Sequence, residues 1–140
     1  MTKKQSIRVS ASLTKALHAS EESLRSRVNT YLDTLALAHG ELVRYSASDT
    51  RLIGLPDISG GCFRGRAFCI ELKAEDGVLE PLQRDWLRVY AAAGAIALVL
   101  WAQPDAPAPM YARYTRMLRT GRFGPPVDCV PGWFEALACS

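Results

Sequence analysis

The spacing of apolar residues predicts a long amphipathic helix in the first third of the chain. From residue 21 onward, apolar side chains recur at the three- and four-residue intervals of one helix face. Ser20 is suited to the N-cap position, and Gly40 is suited to end the helix. The apolar positions of this predicted helix are Leu24, Val28, Tyr31, Leu32 and Leu35.

Three short extended segments follow the helix. Residues 41–45 form the first predicted strand, and residues 56–59 and 67–73 form the next two. The connection between the second and third strands is rich in glycine, which indicates a hairpin. The connecting glycines are Gly60, Gly61 and Gly65.

A second helix and a buried strand are predicted in the middle of the chain. Pro81 suits the first turn of this helix, and Gly94 suits its end. The apolar positions are Leu82, Trp86, Leu87 and Tyr90. Residues 95–101 are continuously apolar, as in a strand that is covered on both faces. The order helix, three strands, helix, strand predicts an α/β fold with a mixed sheet.

The last third of the chain is predicted to contain a linker, a helix and a docked tail. Residues 103–109 hold three prolines and indicate a linker. Residues 110–118 are predicted to be helical. The tail is expected to dock through Trp133, Phe134 and Leu137.

Basic residues are unevenly distributed over a chain whose net charge is +3. Residues 1–20 and 110–122 carry lysines and arginines without any acidic residue. Two such segments beside a near-neutral middle favour a polyanionic partner. An ordinary solvated basic surface is the alternative.

The four cysteines and the apolar runs exclude other classes of protein. No C-x-x-C pair is present, and no histidine lies at zinc-finger spacing. The longest apolar stretch, residues 91–102, is interrupted by Gly94 and is too short to span a bilayer. The sequence therefore predicts a soluble cytoplasmic protein with free thiols, no structural zinc and no membrane segment.

Two acidic residues of the predicted hairpin are expected to face each other. Asp57 and Glu71 are symmetric about Arg64, so a turn centred there pairs them, with Cβ atoms about 5 Å apart. Because side chains alternate along a strand, Lys73 lies on the same face as Glu71. The residues between them, Ile70 and Leu72, then point into the core.

A facing pair of carboxylates favours a divalent cation between them. Mg²⁺ prefers oxygen ligands, and it would polarise a scissile phosphate and lower the pKa of a bound water. Lys73 would orient that water or neutralise charge on the attacked phosphate. The alternative is that Glu71 and Lys73 are solvated charges on an exposed strand face.

These segments resemble the VRR-NUC family of the PD-(D/E)XK nuclease superfamily. The similarity is carried by Gly-Leu-Pro-Asp-Ile at residues 54–58, Ile-Glu-Leu-Lys at residues 70–73, Leu-Glu-Pro-Leu-Gln at residues 79–83, and Gly94. It extends over about residues 21–101. The resemblance implies a restriction-endonuclease-like fold, with a central mixed β-sheet flanked by helices.

The resemblance also implies a set of site residues. Asp57 and Glu71 match the residues that bind Mg²⁺ or Mn²⁺, with the backbone carbonyl of Leu72 as a further ligand. Lys73 and Gln83 match the lysine of E-x-K and the glutamine of the following helix. The glutamate of the first helix is Glu21 or Glu22. Glu21 is favoured because its spacing from the apolar positions puts it at the edge of their stripe.

Five arginines are candidate DNA contacts. They are Arg51, Arg64 and Arg66, around the hairpin and the segment before it, and Arg113 and Arg116, on the predicted last helix. The first three either bind phosphates beside the active site or are solvated surface residues, and the sequence leaves both interpretations open. The other two either belong to a surface that follows the DNA phosphates or lie on an ordinary solvated helix face, and both interpretations stay open.

Small members of the family that this chain resembles act as dimers on branched DNA, in the manner of phage-type Holliday junction resolvases. The resemblance implies a structure-selective, metal-dependent DNA endonuclease and homodimer of a bacterial or phage-infected cell. The implied organisation is a basic arm at residues 1–20, a nuclease core at 21–103 and an extension at 104–140 packed on the core. The alternatives are a repair- or restriction-type nuclease acting on duplexes, flaps or ends, and a non-catalytic DNA-binding module.

Overall fold

A six-stranded mixed sheet flanked by helices forms the body of the molecule in a computed structural model. The structure describes residues 13, 15–40, 42–46 and 54–139. Arg51 and residues 1–12 and 14 of the basic arm lie outside these residues. The helices are α1 (Glu21–His39), α2 (Pro81–Ala92) and α3 (Trp133–Ala138). The strands are β1 (Leu42–Ser46), β2 (Ile58–Phe63), β3 (Arg66–Lys73), β4 (Ile96–Ala102), β5 (Ala112–Met117) and β6 (Val127–Asp128).

The strands lie in the sheet in the order in which they occur in the sequence. Only β3 and β4 pair in parallel, and α2 connects them; the other neighbours are antiparallel. The prediction of an α/β fold with a mixed sheet flanked by helices is confirmed. The sheet continues through β5 and β6, beyond the predicted linker at residues 103–109.

Helices cover both faces of the sheet. On one face, α1 and α3 pack on Ile70, Leu72 and the even-numbered residues of β4. On the other face, α2 packs on Cys69, Ala97 and Val99. Because side chains alternate along β3, Glu71 and Lys73 belong to the α2 face. The charged residues are therefore covered by a helix, and the predicted inward orientation of Ile70 and Leu72 is confirmed.

The ends of α1 are fixed by local sequence, as predicted. The Ser20 hydroxyl oxygen accepts a hydrogen bond from Ser23 N at 3.1 Å, and Gly40 ends the helix in the left-handed conformation at φ 66°. One face of α1 is buried through Leu24, Val28, Leu32 and Leu35.

The predicted helix over residues 110–118 is wrong, because this segment forms β5. Arginines at every third position were consistent with a helix, but Tyr114 and Thr115 favour extended chain. Residues 112–117 pair with residues 97–102 of β4, which satisfies the backbone groups of both strands. Arg113 and Arg116 are three residues apart on a strand, so they lie on opposite faces of the sheet.

The predicted hairpin is confirmed with Gly65 in its turn, but the other two glycines have a different role from the one predicted. Gly60 and Gly61 are part of β2, and the turn consists of Arg64 and Gly65. A Cβ atom on Gly61 would lie 2.4 Å from the ring of Phe68, so glycine is required for that ring to pack against β2.

Among the described residues, no helix is both long enough and apolar enough to cross a membrane.

Candidate metal centre

The hairpin register brings Asp57 opposite Glu71 by a route that the sequence did not reveal. Phe63 pairs with Arg66, so the turn has two residues, and both have positive φ (53° for Arg64 and 77° for Gly65). A bulge between Ile58 and Gly61 then shifts the register by one residue, and Ile58 pairs with Ile70. The next step along each strand sets Asp57 against Glu71. A two-residue turn and a bulge therefore replace the predicted turn centred on Arg64.

Three carboxylates converge at this end of the hairpin. Glu21, Asp57 and Glu71 each contribute one carboxylate oxygen, and these three atoms lie within 4.8 Å of one another. Glu75 N donates a hydrogen bond to the Ala19 carbonyl at 2.9 Å, which ties the loop after β3 to the start of α1. This contact holds the first turn of α1 beside the hairpin. Within the described chain, the cluster includes Glu21 and not Glu22.

Asp57 is held by two donors. Its Oδ2 accepts a hydrogen bond from Leu72 N at 2.8 Å, and its Oδ1 lies 3.0 Å from Arg25 Nη2. An ionised carboxylate offers about four lone-pair sites, so both contacts leave acceptor capacity for a cation. In an extended strand the N–H and C=O of one residue point to the same side. The Leu72 carbonyl therefore also faces the side of β3 on which Asp57 lies.

Arg25 is a member of the site that the sequence analysis missed. It ion-pairs with Asp57 and stands four residues after Glu21, on the same face of α1. That spacing was visible in the sequence. Its meaning depended on knowing that Glu21 faces the hairpin.

Glu71 carries a buried oxygen without a hydrogen-bond partner. The residue is 2% exposed; Oε1 accepts from Gln83 Nε2 at 3.1 Å, whereas Oε2 has no donor among the described residues. Burial, and next the neighbouring Asp57 carboxylate, raise the pKa of Glu71 to about 9. A buried carboxylate in this position requires a proton or a cation.

Lys73 is the charged neighbour of Glu71 on the same face of β3. It is 9% exposed, and its positive charge acts to lower the pKa of Glu71, opposing the effect of burial. Solvated charges on an open strand face would be exposed. The burial of both residues therefore contradicts that alternative reading of the E-x-K pattern.

Gln83 connects the start of α2 to the carboxylates. Its Oε1 accepts from Glu80 N at 2.9 Å, completing a capping box, while its Nε2 donates to Glu71. With Pro81 in the first turn, the backbone of the helix start is fixed. One amide thus caps a helix and orients a carboxylate.

Of the candidate arginines that the structure describes, none belongs to the carboxylate cluster. Arg64 contacts His39 Nδ1 at 3.2 Å in the hairpin turn, and Arg66 begins β3, about 17 Å along the strand from Glu71. Arg113 pairs with Asp128 at 2.5 Å. Of the two interpretations left open for Arg64 and Arg66, phosphate contacts beside the site are contradicted, because the turn is at the opposite end of the hairpin.

Arg66 and Arg116 instead lie close together at that far end. With Arg119 they line a cavity of about 370 Å³ beside the C-terminal end of α2. Burial, and next the charge of Arg66, lower the pKa of Arg116. Three arginines around one cavity form an electropositive pocket, which we call the arginine cavity.

The site as a whole combines carboxylate oxygens, a buried lysine and an orienting amide. Carboxylates, carbonyls and waters are the ligands that suit Mg²⁺ and Mn²⁺. Comparisons with protein-family models, with curated proteins and with solved structures found no match to this chain.

Proposed function

We propose that this chain is a Mg²⁺- or Mn²⁺-dependent deoxyribonuclease with a restriction-endonuclease-like, PD-(D/E)XK fold, similar to the VRR-NUC family. The observation that carries the proposal is the convergence of Glu21, Asp57 and Glu71 within 4.8 Å, next to the buried Lys73. The order of Asp57, Glu71 and Lys73 along a hairpin is the one that the family resemblance requires.

The donor set fits a hard divalent cation. Asp57 and Glu71 supply carboxylate oxygens, and the partnerless Glu71 Oε2 is a buried acceptor that a cation would satisfy. Glu21 is exposed and completes the cluster from the solvent side. The Leu72 carbonyl, on the Asp57 side of β3, is the fourth candidate ligand.

A bound Mg²⁺ or Mn²⁺ would supply Lewis-acid polarisation of the scissile phosphate and activation of water at neutral pH. The protein residues do the positioning. Leu72 N and Arg25 orient Asp57, and Gln83 orients Glu71. Lys73 places a positive charge, covered from solvent, where negative charge develops on the attacked phosphate.

The substrate that we propose is DNA, cleaved internally at a branched structure by a homodimer. The arginine cavity supports a polyanionic partner, and a two-fold dimer suits two symmetric scissile strands. Cleavage of duplexes, flaps or ends by the same site is the alternative within the class.

A non-catalytic DNA-binding module is the second candidate. The observation that favours it is the ion pair between Arg25 and Asp57, which gives one of the three carboxylates a cationic partner within the protein. It leaves Glu71 Oε2 without a partner, and this is the reason that we favour the enzyme.

The test is cleavage of a panel of labelled DNA substrates. Four-way junction, flap, nicked and linear duplex DNA are each incubated with the protein in Mg²⁺, in Mn²⁺ and in EDTA. We expect cleavage that requires the metal and falls about a hundredfold or more in Lys73→Ala. Lys15→Ala, at an exposed lysine outside the site, is the matched control.

Two outcomes would contradict the proposal at different levels. If every substrate stays intact in both metals, the enzyme is excluded, and DNA binding that persists in EDTA then supports the non-catalytic module. If Lys73→Ala cleaves as fast as the wild type, the chain is a nuclease whose site lies elsewhere.

A further inference from the structure

A cleft of about 350 Å³ opens on the sheet face that carries Glu71 and Lys73. Trp101 on β4 is the register partner of Lys73 on β3, and neighbouring strands lie about 4.8 Å apart. Thr115 on β5 pairs with Val99, which in turn pairs with Glu71. The cleft is therefore the next surface along the sheet from the carboxylates. Its lining residues are Gly77, Val78, Leu79, Arg84, Trp101, Thr115 and Phe123, and we call it the aromatic cleft.

The lining combines two aromatic rings with one guanidinium. Trp101 and Phe123 are half-buried and pack against the core beneath α2, so their positions are fixed. The Arg84 guanidinium carbon lies 5.8 Å from the centre of the Phe123 ring. None of the described lining residues is acidic. Flat apolar surface and the positive charge of Arg84, in a lining without acidic residues, match a nucleobase joined to its phosphate.

The loop after β3 brings this cleft close to Lys73. A Cβ atom on Gly77 would lie 3.4 Å from the Lys73 Cβ and 3.3 Å from the backbone of Ala74, so the loop folds back tightly over the end of the strand. Gly77 therefore lines the cleft and also lies against Lys73 of the site. A nucleotide in the cleft would consequently lie next to a phosphate held at the carboxylates.

We propose that the aromatic cleft binds one unpaired nucleobase next to the scissile phosphate; this inference rests on the proposed nuclease function. The cleft is at the small end of ligand pockets, which span roughly 300–1,000 Å³, and accommodates a single base but no base pair. Every base has a π-face, so stacking on Trp101 or Phe123 requires no particular sequence. The substrate class is thus DNA with an unpaired nucleotide beside the cut, as at a flap, bulge or branch.

Binding is tested separately from cleavage. Flap DNA carrying 2-aminopurine at successive unpaired positions is titrated with the protein in EDTA, and base fluorescence is followed. We expect quenching at one or two positions next to the branch. Trp101→Leu and Phe123→Ala should weaken that DNA binding about fivefold to a hundredfold, since one stacked base contributes roughly 1–3 kcal/mol.

Arg84→Ala and Arg88→Ala form a matched pair. Both arginines are exposed on α2 one turn apart, but only Arg84 lines the cleft, while Arg88 pairs with Asp85. We expect Arg84→Ala alone to weaken binding of the flap. Because neither side chain is buried, both variants should fold, and thermal unfolding checks this for every variant.

Cleavage provides the second arm. In Mg²⁺, a flap whose base at the quenched position is replaced by an abasic residue should be cut more slowly than the intact flap, and Phe123→Ala should cut the two equally. The inference is overturned if no position is quenched, if quenching is unchanged in both aromatic variants, or if base removal leaves the rate unaltered. If the wild-type protein cleaves none of the substrates, the proposed nuclease function is rejected, whatever the fluorescence shows.

Discussion

At the scale of single residues, burial distinguishes the site from an ordinary charged strand. Glu71 and Lys73 occupy positions on the α2 face that a strand between two helices normally gives to apolar side chains. Two buried charges are costly unless each has partners, and one oxygen of Glu71 has none among the described residues. The buried Glu71 carboxyl therefore lowers the free energy of unfolding of the metal-free protein, and a bound cation would raise it again.

The first prediction is that Glu71→Gln stabilises the metal-free protein and removes its response to metal. The amide keeps the acceptor for Gln83 Nε2 and is neutral at every pH, whereas the raised pKa of Glu71 means that the wild-type carboxyl must take up a proton on folding near pH 7. We expect the free energy of unfolding in EDTA to rise by on the order of 1–3 kcal/mol. Mg²⁺ or Mn²⁺ should raise the Tm of the wild type and leave that of the variant unchanged.

Glu75→Gln is the control for this prediction. Glu75 is exposed in the loop after β3, so its loss should alter neither stability in EDTA nor the effect of metal. A Glu71→Gln protein that is less stable than the wild type in EDTA would show that the carboxylate is satisfied without metal.

The second prediction concerns the reactivity of three of the four thiols. Burial raises the pKa of Cys69 to about 12 and also raises that of Cys129. Because the thiolate is the reactive form, Cys69 and Cys129 should stay unlabelled at pH 9 until the protein unfolds, whereas the exposed Cys139 should be alkylated in the native protein. Mass spectrometry after timed iodoacetamide treatment, with and without denaturant, measures this. Labelling of Cys69 in the native protein would contradict the packing of α2 on β3.

At the scale of elements, local signals in the sequence predicted the parts of the fold that are determined locally. The caps of α1, the apolar run of β4 and Pro81 at the start of α2 each depend on a few adjacent residues. The identity of β5 depends on pairing with β4, which is a tertiary contact, and the arginine spacing in residues 110–118 misled the prediction. The bulge in β2 was equally invisible, although it determines which residue faces Glu71.

The third prediction separates the two roles of Gln83. Gln83→Ala removes the acceptor for Glu80 N and the donor to Glu71, and we expect a loss of about 1 kcal/mol in unfolding free energy together with slower cleavage. Gln83→Glu keeps the acceptor at the helix start, loses the donor to Glu71 and adds a negative charge beside it. It should therefore retain more of the cap in EDTA while cleaving as slowly as Gln83→Ala.

Chemical denaturation in EDTA and single-turnover cleavage in Mg²⁺ measure the two roles independently. If Gln83→Glu cleaves at the wild-type rate, the hydrogen bond to Glu71 does not serve the reaction, and the capping role alone accounts for this residue.

At the scale of the whole molecule, acidic and basic groups are separated along β3. The carboxylate cluster lies at one end of this strand, and the arginine cavity lies at the other. Glu71 and Arg66 are about 17 Å apart along the strand. That separation corresponds to about five nucleotides of a duplex strand at 3.4 Å each. The net charge of +3 conceals this polarity, and the sequence does not show that Arg66 on β3 and Arg116 on β5 line the same cavity.

The last prediction is that the arginine cavity contacts the DNA backbone several nucleotides from the cut. Arg116→Gln should weaken DNA binding and reduce the slope of log K against log salt concentration by about one, the contribution of one phosphate. Arg88→Gln is the matched control, because Arg88 is exposed on α2, lines neither the arginine cavity nor the aromatic cleft, and pairs with Asp85. Fluorescence anisotropy at several salt concentrations in EDTA measures both slopes. If the two variants have equal slopes, the DNA does not contact the arginine cavity. If only Arg116→Gln lowers the slope, and metal still stabilises this variant as it does the wild type, this end of the sheet binds the DNA backbone and the other end binds the metal.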